Sequence, residues 1–150
     1  MVNVYPFFSY VNENWRSISL EYALFKSTSA VMKDGNTATQ TCLMPWLKLD
    51  TIISATENLG YHHFPLIVTE SGWPSGGTDV ATVDNARTYT NNLISHVLSN
   101  AGTPKRPGMS IDTYIFALFN ENNKGGDEIE RHFGLFYPNK QSVYTVNFSP

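Results

Sequence analysis

Residues 66–69, Leu-Ile-Val-Thr, are too few for a helix and too uniformly apolar for a strand with one face in water. A run of this kind reads as a strand covered on both faces, which a parallel sheet flanked by helices provides. The surrounding segments fit that frame. Residues 84–102 place Ala86, Tyr89, Leu93, Ile94, Val97 and Leu98 at three-to-four spacing, one apolar stripe along a helix. Thr82 or Asp84 caps its start, and Gly102, Pro104 and Pro107 stop it. A second stripe over 46–59 carries Leu49, Ile52, Ile53, Thr56 and Leu59 and is closed by Gly60. Residues 2–8, broken by Pro6, and 111–119 read as two more strands. Strand, helix, strand, helix, strand predicts an α/β chain with parallel pairing through right-handed crossovers.

The 150 residues fit one domain by length. Three parallel strands, however, leave two open edges and too few helices to cover both faces, so the expectation is a piece of a larger sheet with both ends cut. The net charge of −3, with no basic run, speaks against a nucleic-acid partner. No stretch approaches the ~18 apolar residues of a membrane span, and MVNVYPFF has neither the basic start nor the cleavage site of a signal peptide. Cys42, the sole cysteine, makes no internal disulfide.

Chemistry-bearing residues gather at the ends of the apolar runs. Glu70 follows the 66–69 run and opens the loop Ser71-Gly72-Trp73-Pro74-Ser75-Gly76-Gly77. Ligands collect at the carboxyl ends of strands in parallel α/β folds; Pro74 stiffens the loop, the glycines let backbone approach closely, and Trp73 offers a flat face suited to a sugar ring. Taken alone, a capping Glu and a core Trp explain these residues as well. Past the last strand, Phe119-Asn120-Glu121-Asn122-Asn123-Lys124 supplies a second carboxylate, amides and a lysine, followed by Glu130-Arg131-His132. Two strands ending in Glu bring both carboxylates to one rim. His62, His63, His96 and His132 lack metal-ligand spacing, and neither metal nor cofactor is expected. Asn147-Phe148-Ser149 is a formal glycosylation sequon with Pro150 directly after it, and Lys105-Arg106 reads as a solvated turn.

Seven segments, MVNVYPFFSY, ISLEYALF, VTESGWPSGG, NARTYTNNLISHV, GTPKRPG, DTYIFALFNENNK and ERHFGLFYPNK, together resemble the plant endo-1,3-β-glucanases, glycoside hydrolase family 17, over most of the chain and in order. The resemblance implies a (β/α)8 barrel that cleaves β-1,3-glucans with retention of configuration, of which residues 1–150 form approximately strands six to eight with their helices, the C-terminal part of one catalytic domain. Residue by residue, it places Glu70 on the nucleophile and Tyr5 on a tyrosine beside it. Glu121, Lys124 and Glu130 fall on a supporting charged cluster, and Phe8, Trp73, Phe119 and Asn120 on the substrate-binding wall. A retaining enzyme needs two carboxyl groups roughly 5–5.5 Å apart, with the nucleophile ionised, which a nearby Lys124 favours, and the acid's pKa raised.

In the family, the acid/base sits in an Asn-Glu pair on the fourth strand, and Asn12-Glu13 and Asn120-Glu121 match other places. The chain alone is therefore expected to lack activity. The implied partner is β-1,3-glucan, handled by a secreted monomer of cell wall, apoplast or vacuole in defence or wall remodelling. A non-catalytic glucan-binding protein, mixed-linkage specificity and an unstable truncated product stand as alternatives. One stretch, TATQTCLMPWLKLD, departs from the family's YTNLFDAMVD-like helix start, and Pro45 opposes a helix spanning it. With suitable third bases, a shifted reading frame restores YTNLFDAMVET, so a local frame slip over residues 38–49 is expected, leaving Cys42, Pro45 and Trp46 without function.

Overall fold

The computed structural model describes residues 1–12, 19–26 and 44–149. Its elements run β1 (Val2–Asn3), α1 (Pro6–Asn12), α2 (Leu20–Ala23), α3 (Met44–Asn58), β2 (Ile67–Ser71), α4 (Val83–Leu98), β3 (Asp112–Ile115) and a 3₁₀ turn (Glu128–Arg131). The strands form one sheet in the order β1-β2-β3. Both pairs are parallel, with Val2 opposite Val68, Asn3 opposite Glu70, and Ser71 opposite Ile115. The expected α/β class with parallel pairing is borne out, and the most apolar run occupies the middle of the sheet.

Helix α4 forms where the stripe predicts. Ala86, Tyr89, Leu93 and Ile94 are buried, while Leu98, at its end, is exposed. Thr82 is the cap: its Oγ1 accepts from the Asn85 N–H at 3.1 Å, a contact worth about 1 kcal/mol. Asp84 instead pairs with Arg87 in solvent. From α3, Leu49 and Ile53 are fully buried in the same core, each contributing about 1.5–3 kcal/mol by burial. Leu59 lies past the end of α3 and is exposed.

Three boundaries differ from the sequence reading. Residues 2–8 are not one strand: β1 ends at Asn3 and Pro6 opens α1. Proline suits a first helical turn, because its φ is already helical and the N–H it lacks has no acceptor there. Residues 111–119 are not one strand either, since β3 stops at Ile115. From there the chain leaves β2: Ala117 N–H donates to Phe133 O, and Leu135 N–H to Ala117 O. Aromatic β-propensity marked residues that need a partner strand without saying which one. Pro45 falls within α3, whose described residues begin at Met44. Cys42 and the rest of 38–43 lie outside the described residues.

Candidate active site

The sheet register builds the site. Asn3 sits opposite Glu70 and Val4 N–H donates to Glu70 O at 2.9 Å, so the side chain of the next residue, Tyr5, arrives beside the Glu70 carboxylate. The Tyr5 phenol donates to Glu70 Oε2 at 2.8 Å. Burial first, then the hydrogen bond to Glu70 and its charge, push the Tyr5 hydroxyl far above its ordinary pKa of 10.0. The phenol therefore stays protonated and remains a donor to that oxygen.

Glu70 and Tyr5 open into a cavity of about 280 Å³ lined also by Phe8, Phe116, Lys124, Glu130 and Phe133. Its apolar wall is a cluster of edge-on rings: Tyr5 lies 5.6 Å from Phe8 and 5.7 Å from Phe133, and Phe116 lies 5.6 Å from Phe133. The charged wall is Lys124, whose Nζ is 3.1 Å from Glu130 and 3.2 Å from Glu121. Those partners, Glu130 first, raise the Lys124 pKa above its ordinary value. The ammonium also sits 5.2 Å from the centre of the Phe116 ring. Arg131 Nη1 donates to Lys124 O at 3.0 Å, tying the loop that carries the lysine to the 3₁₀ turn.

Close backbone packing holds the two halves of the site together. A Cβ on Gly72 would lie 2.2 Å from Phe116 O, so only glycine lets the loop after Glu70 pass the end of β3. His132 O accepts from both the N–H and the hydroxyl of Ser75, at 2.8 and 3.0 Å, joining that loop to the turn bearing Glu130.

Of the residues singled out in the sequence, Tyr5, Phe8, Glu70, Lys124 and Glu130 converge on this cavity. Glu121 reaches it only through its ion pair with Lys124. Lys124 is held by the two rim carboxylates, and the hydrogen bond described at Glu70 comes from Tyr5.

Trp73 is not a cleft wall: it is 1 % exposed, packs edge-on against Phe7 at 5.2 Å and donates its Nε1 proton to Val80 O. Apolar surroundings and a carbonyl for its N–H make it a core residue. Phe119 does not line the cavity and packs beside Phe136. Asn120 is buried; its Oδ1 accepts the Gly134 N–H at 2.8 Å, and it borders a separate hollow with Arg131 and Tyr137. Phe116 and Phe133 escaped the sequence reading as site residues, because each is one aromatic among several in an apolar stretch. Lys105 is exposed on a turn as expected, and both it and Arg106 also grip Glu57 on α3, at 2.7 and 3.0 Å. Trp46 has a packing role, stacked 4.5 Å from the His96 ring.

The chain belongs to glycosyl hydrolases family 17, whose model matches residues 1–148. It is 55 % identical, over 98 % of its own length, to an acidic isoform of glucan endo-1,3-beta-glucosidase from Zea mays. A probable glucan endo-1,3-beta-glucosidase of Arabidopsis thaliana is 50 % identical over 99 % of the chain. In each case the chain spans 42 % of the relative. Among solved structures, a beta-1,3-glucanase and allergen of Cryptomeria japonica pollen superposes on 98 % of the chain with a TM-score of 0.88 and 59 % identity, the match covering 44 % of that protein. One of two plant beta-glucan endohydrolases with distinct substrate specificities gives a TM-score of 0.86 at 43 % identity, over 97 % of this chain and 45 % of that one.

Proposed function

We propose that residues 1–150 are the C-terminal part of the catalytic domain of a retaining glucan endo-1,3-β-glucosidase, approximately strands six to eight of a (β/α)8 barrel. Glu70 is its nucleophile. The observation that carries this reading is the Tyr5–Glu70 hydrogen bond of 2.8 Å at the carboxyl end of the central strand, inside a cavity walled by aromatic rings. Family membership supports the reaction class, and the position of Glu70 supports the role.

In the first step a Glu70 oxygen attacks the anomeric carbon, forming a glycosyl ester as the glycosidic oxygen leaves with the bonding electrons and a proton from the acid. Tyr5 holds one carboxylate oxygen by its hydrogen bond, leaving the other to attack. Phe8, Phe116 and Phe133 supply apolar surface against the sugar, and Lys124 with Glu130 sets the charge on the far wall. Water then releases the sugar, activated by the acid's conjugate base. We place that acid/base outside residues 1–150, since a full barrel takes about 250 residues and the chain spans 42 % of its maize relative.

The test is laminarin hydrolysis followed by proton NMR of the first product. The longer protein carrying this segment should release β-configured ends, and the 150-residue chain alone should show no turnover. An α-configured first product, or laminarin turnover by the short chain that survives Glu70→Gln, overturns the assignment. Binding of β-1,3-glucan without any hydrolysis by the longer protein points instead to a glucan-binding protein.

A further inference from the structure

Val4 is where β1 leaves the ladder, and both of its backbone polar groups are taken by the chain around Glu70. Its N–H donates to Glu70 O at 2.9 Å, and its carbonyl accepts from Ser71 Oγ at 2.8 Å. Ser71 Oγ also lies 2.6 Å from the Tyr89 hydroxyl on α4. A serine hydroxyl carries one proton, and a carbonyl oxygen only accepts. Ser71 therefore donates to Val4, and Tyr89 must donate to Ser71. The relay runs one way, from helix to sheet.

It is also dry. Tyr89, Ser71 and Val4 are 0 %, 1 % and 4 % exposed, and the Tyr89 ring packs among Phe25 and Trp73. A phenylalanine would satisfy that apolar pocket, and a hydroxyl without a partner there would cost stability. The hydroxyl is matched to Ser71. Burial raises its pKa, so the donated proton is retained.

The relay closes one residue away from each member of the Tyr5–Glu70 pair, because Tyr5 follows Val4 and Glu70 precedes Ser71. We propose that Tyr89 is a positioning residue for Glu70: through Ser71 and Val4 it holds the register in which the Tyr5 phenol meets the carboxylate. This rests on reading Glu70 as the nucleophile.

The experiment uses the longer protein carrying residues 1–150 and 2,4-dinitrophenyl 2-deoxy-2-fluoro-β-glucoside. Its anomeric C–O bond breaks as the Glu70 oxygen–carbon bond forms, and dinitrophenolate leaves with the electron pair, needing no acid. Tyr89→Phe should lower the maximal labelling rate on the order of 10-fold with half-saturation unchanged, as expected for misplacement of a reacting group. Ser71→Ala should do the same, and the double variant should match either single one, because both cut one relay. Thr90→Val, which removes the neighbouring buried contact to Tyr144, should lower the melting temperature and leave the labelling rate alone. An unchanged rate in Tyr89→Phe, or losses that multiply in the double variant, overturns the proposal.

Amide exchange gives a readout that needs no chemistry at Glu70. Tyr89→Phe should speed exchange of the Val4 N–H relative to amides in α3, and equal exchange overturns the relay. Absence of label on the unaltered longer protein sinks the nucleophile reading, and the relay then stands or falls on Val4 exchange.

Discussion

Glu70 and Glu130 face the same cavity, but opposite kinds of structure hold them there. Glu70 belongs to the central strand, beside buried Ser71, and is held to Val4 by its own carbonyl and by the Ser71 hydroxyl. Glu130 sits on a 3₁₀ turn with no buried residue, paired with a lysine that is itself partly in water. One side is positioned by packing and directional bonds, the other by charge. Strain or a lost hydrogen bond on the first side should move the proposed nucleophile; a lost ion pair on the second should change the local field and little else.

The largest effect belongs to the carboxylate itself. Glu70→Gln keeps shape and should retain the melting temperature while cutting the rate of glucan hydrolysis by the longer protein on the order of 10⁴-fold or more. Steady-state kinetics and a thermal melt together check this. A smaller but sharp contrast comes from two glycines. Gly72→Ala drives a methyl into Phe116 O, 2.2 Å away, and should cost about 3 kcal/mol by chemical denaturation. Gly125→Ala, on the rim loop with nothing within 4 Å, should stay within about 0.5 kcal/mol. Equal losses would erase the distinction between the two regions.

Lys124→Met comes next. It removes two exposed ion pairs and should cost no more than about 1 kcal/mol, a loss that shrinks as salt is raised. A salt-independent loss of several kcal/mol would mean that the rim is built like the strand side.

The pH dependence is the mildest effect. Lys124 has a raised pKa when folded, so its stabilising share is complete below the unfolded value of 10.5 and fades as pH climbs through the folded one. Glu57 runs the other way: Lys105 first, then Arg106, lower it from 4.5, so its share is present above 4.5 and is lost as pH falls through the depressed value. Melting curves of Lys124→Met and Glu57→Gln against the unaltered chain should therefore converge with it at the alkaline and acid ends, respectively.

What could be read ahead of the structure follows the same division. The 66–69 run and the α4 stripe announced themselves because burial on both faces, or on one, imposes a period on the residues. Glu70 stood out only together with the second carboxylate past the last strand and the motif around it, since alone it read equally well as a capping residue. Trp73 went astray for the converse reason: an aromatic beside a glycine loop suits a cleft or a core equally, and only the Val80 carbonyl that takes its N–H decides. Tyr89 counted as one member of an apolar stripe, since nothing local reveals that its hydroxyl meets Ser71 from another element. Phe116 and Phe133 were hidden because the chain leaves β3 at Ile115 and pairs with residues 133–136 instead.

If Glu70 is the nucleophile, the sugar becomes attached to its carboxylate and to no other. Peptide mapping by mass spectrometry, after inactivation with the fluorinated dinitrophenyl glucoside, reads that point directly. A single fluoroglucosyl ester on Glu70 is expected; the same mass carried by Glu121 or Glu130, with Glu70 unmodified, would contradict Glu70 as the nucleophile.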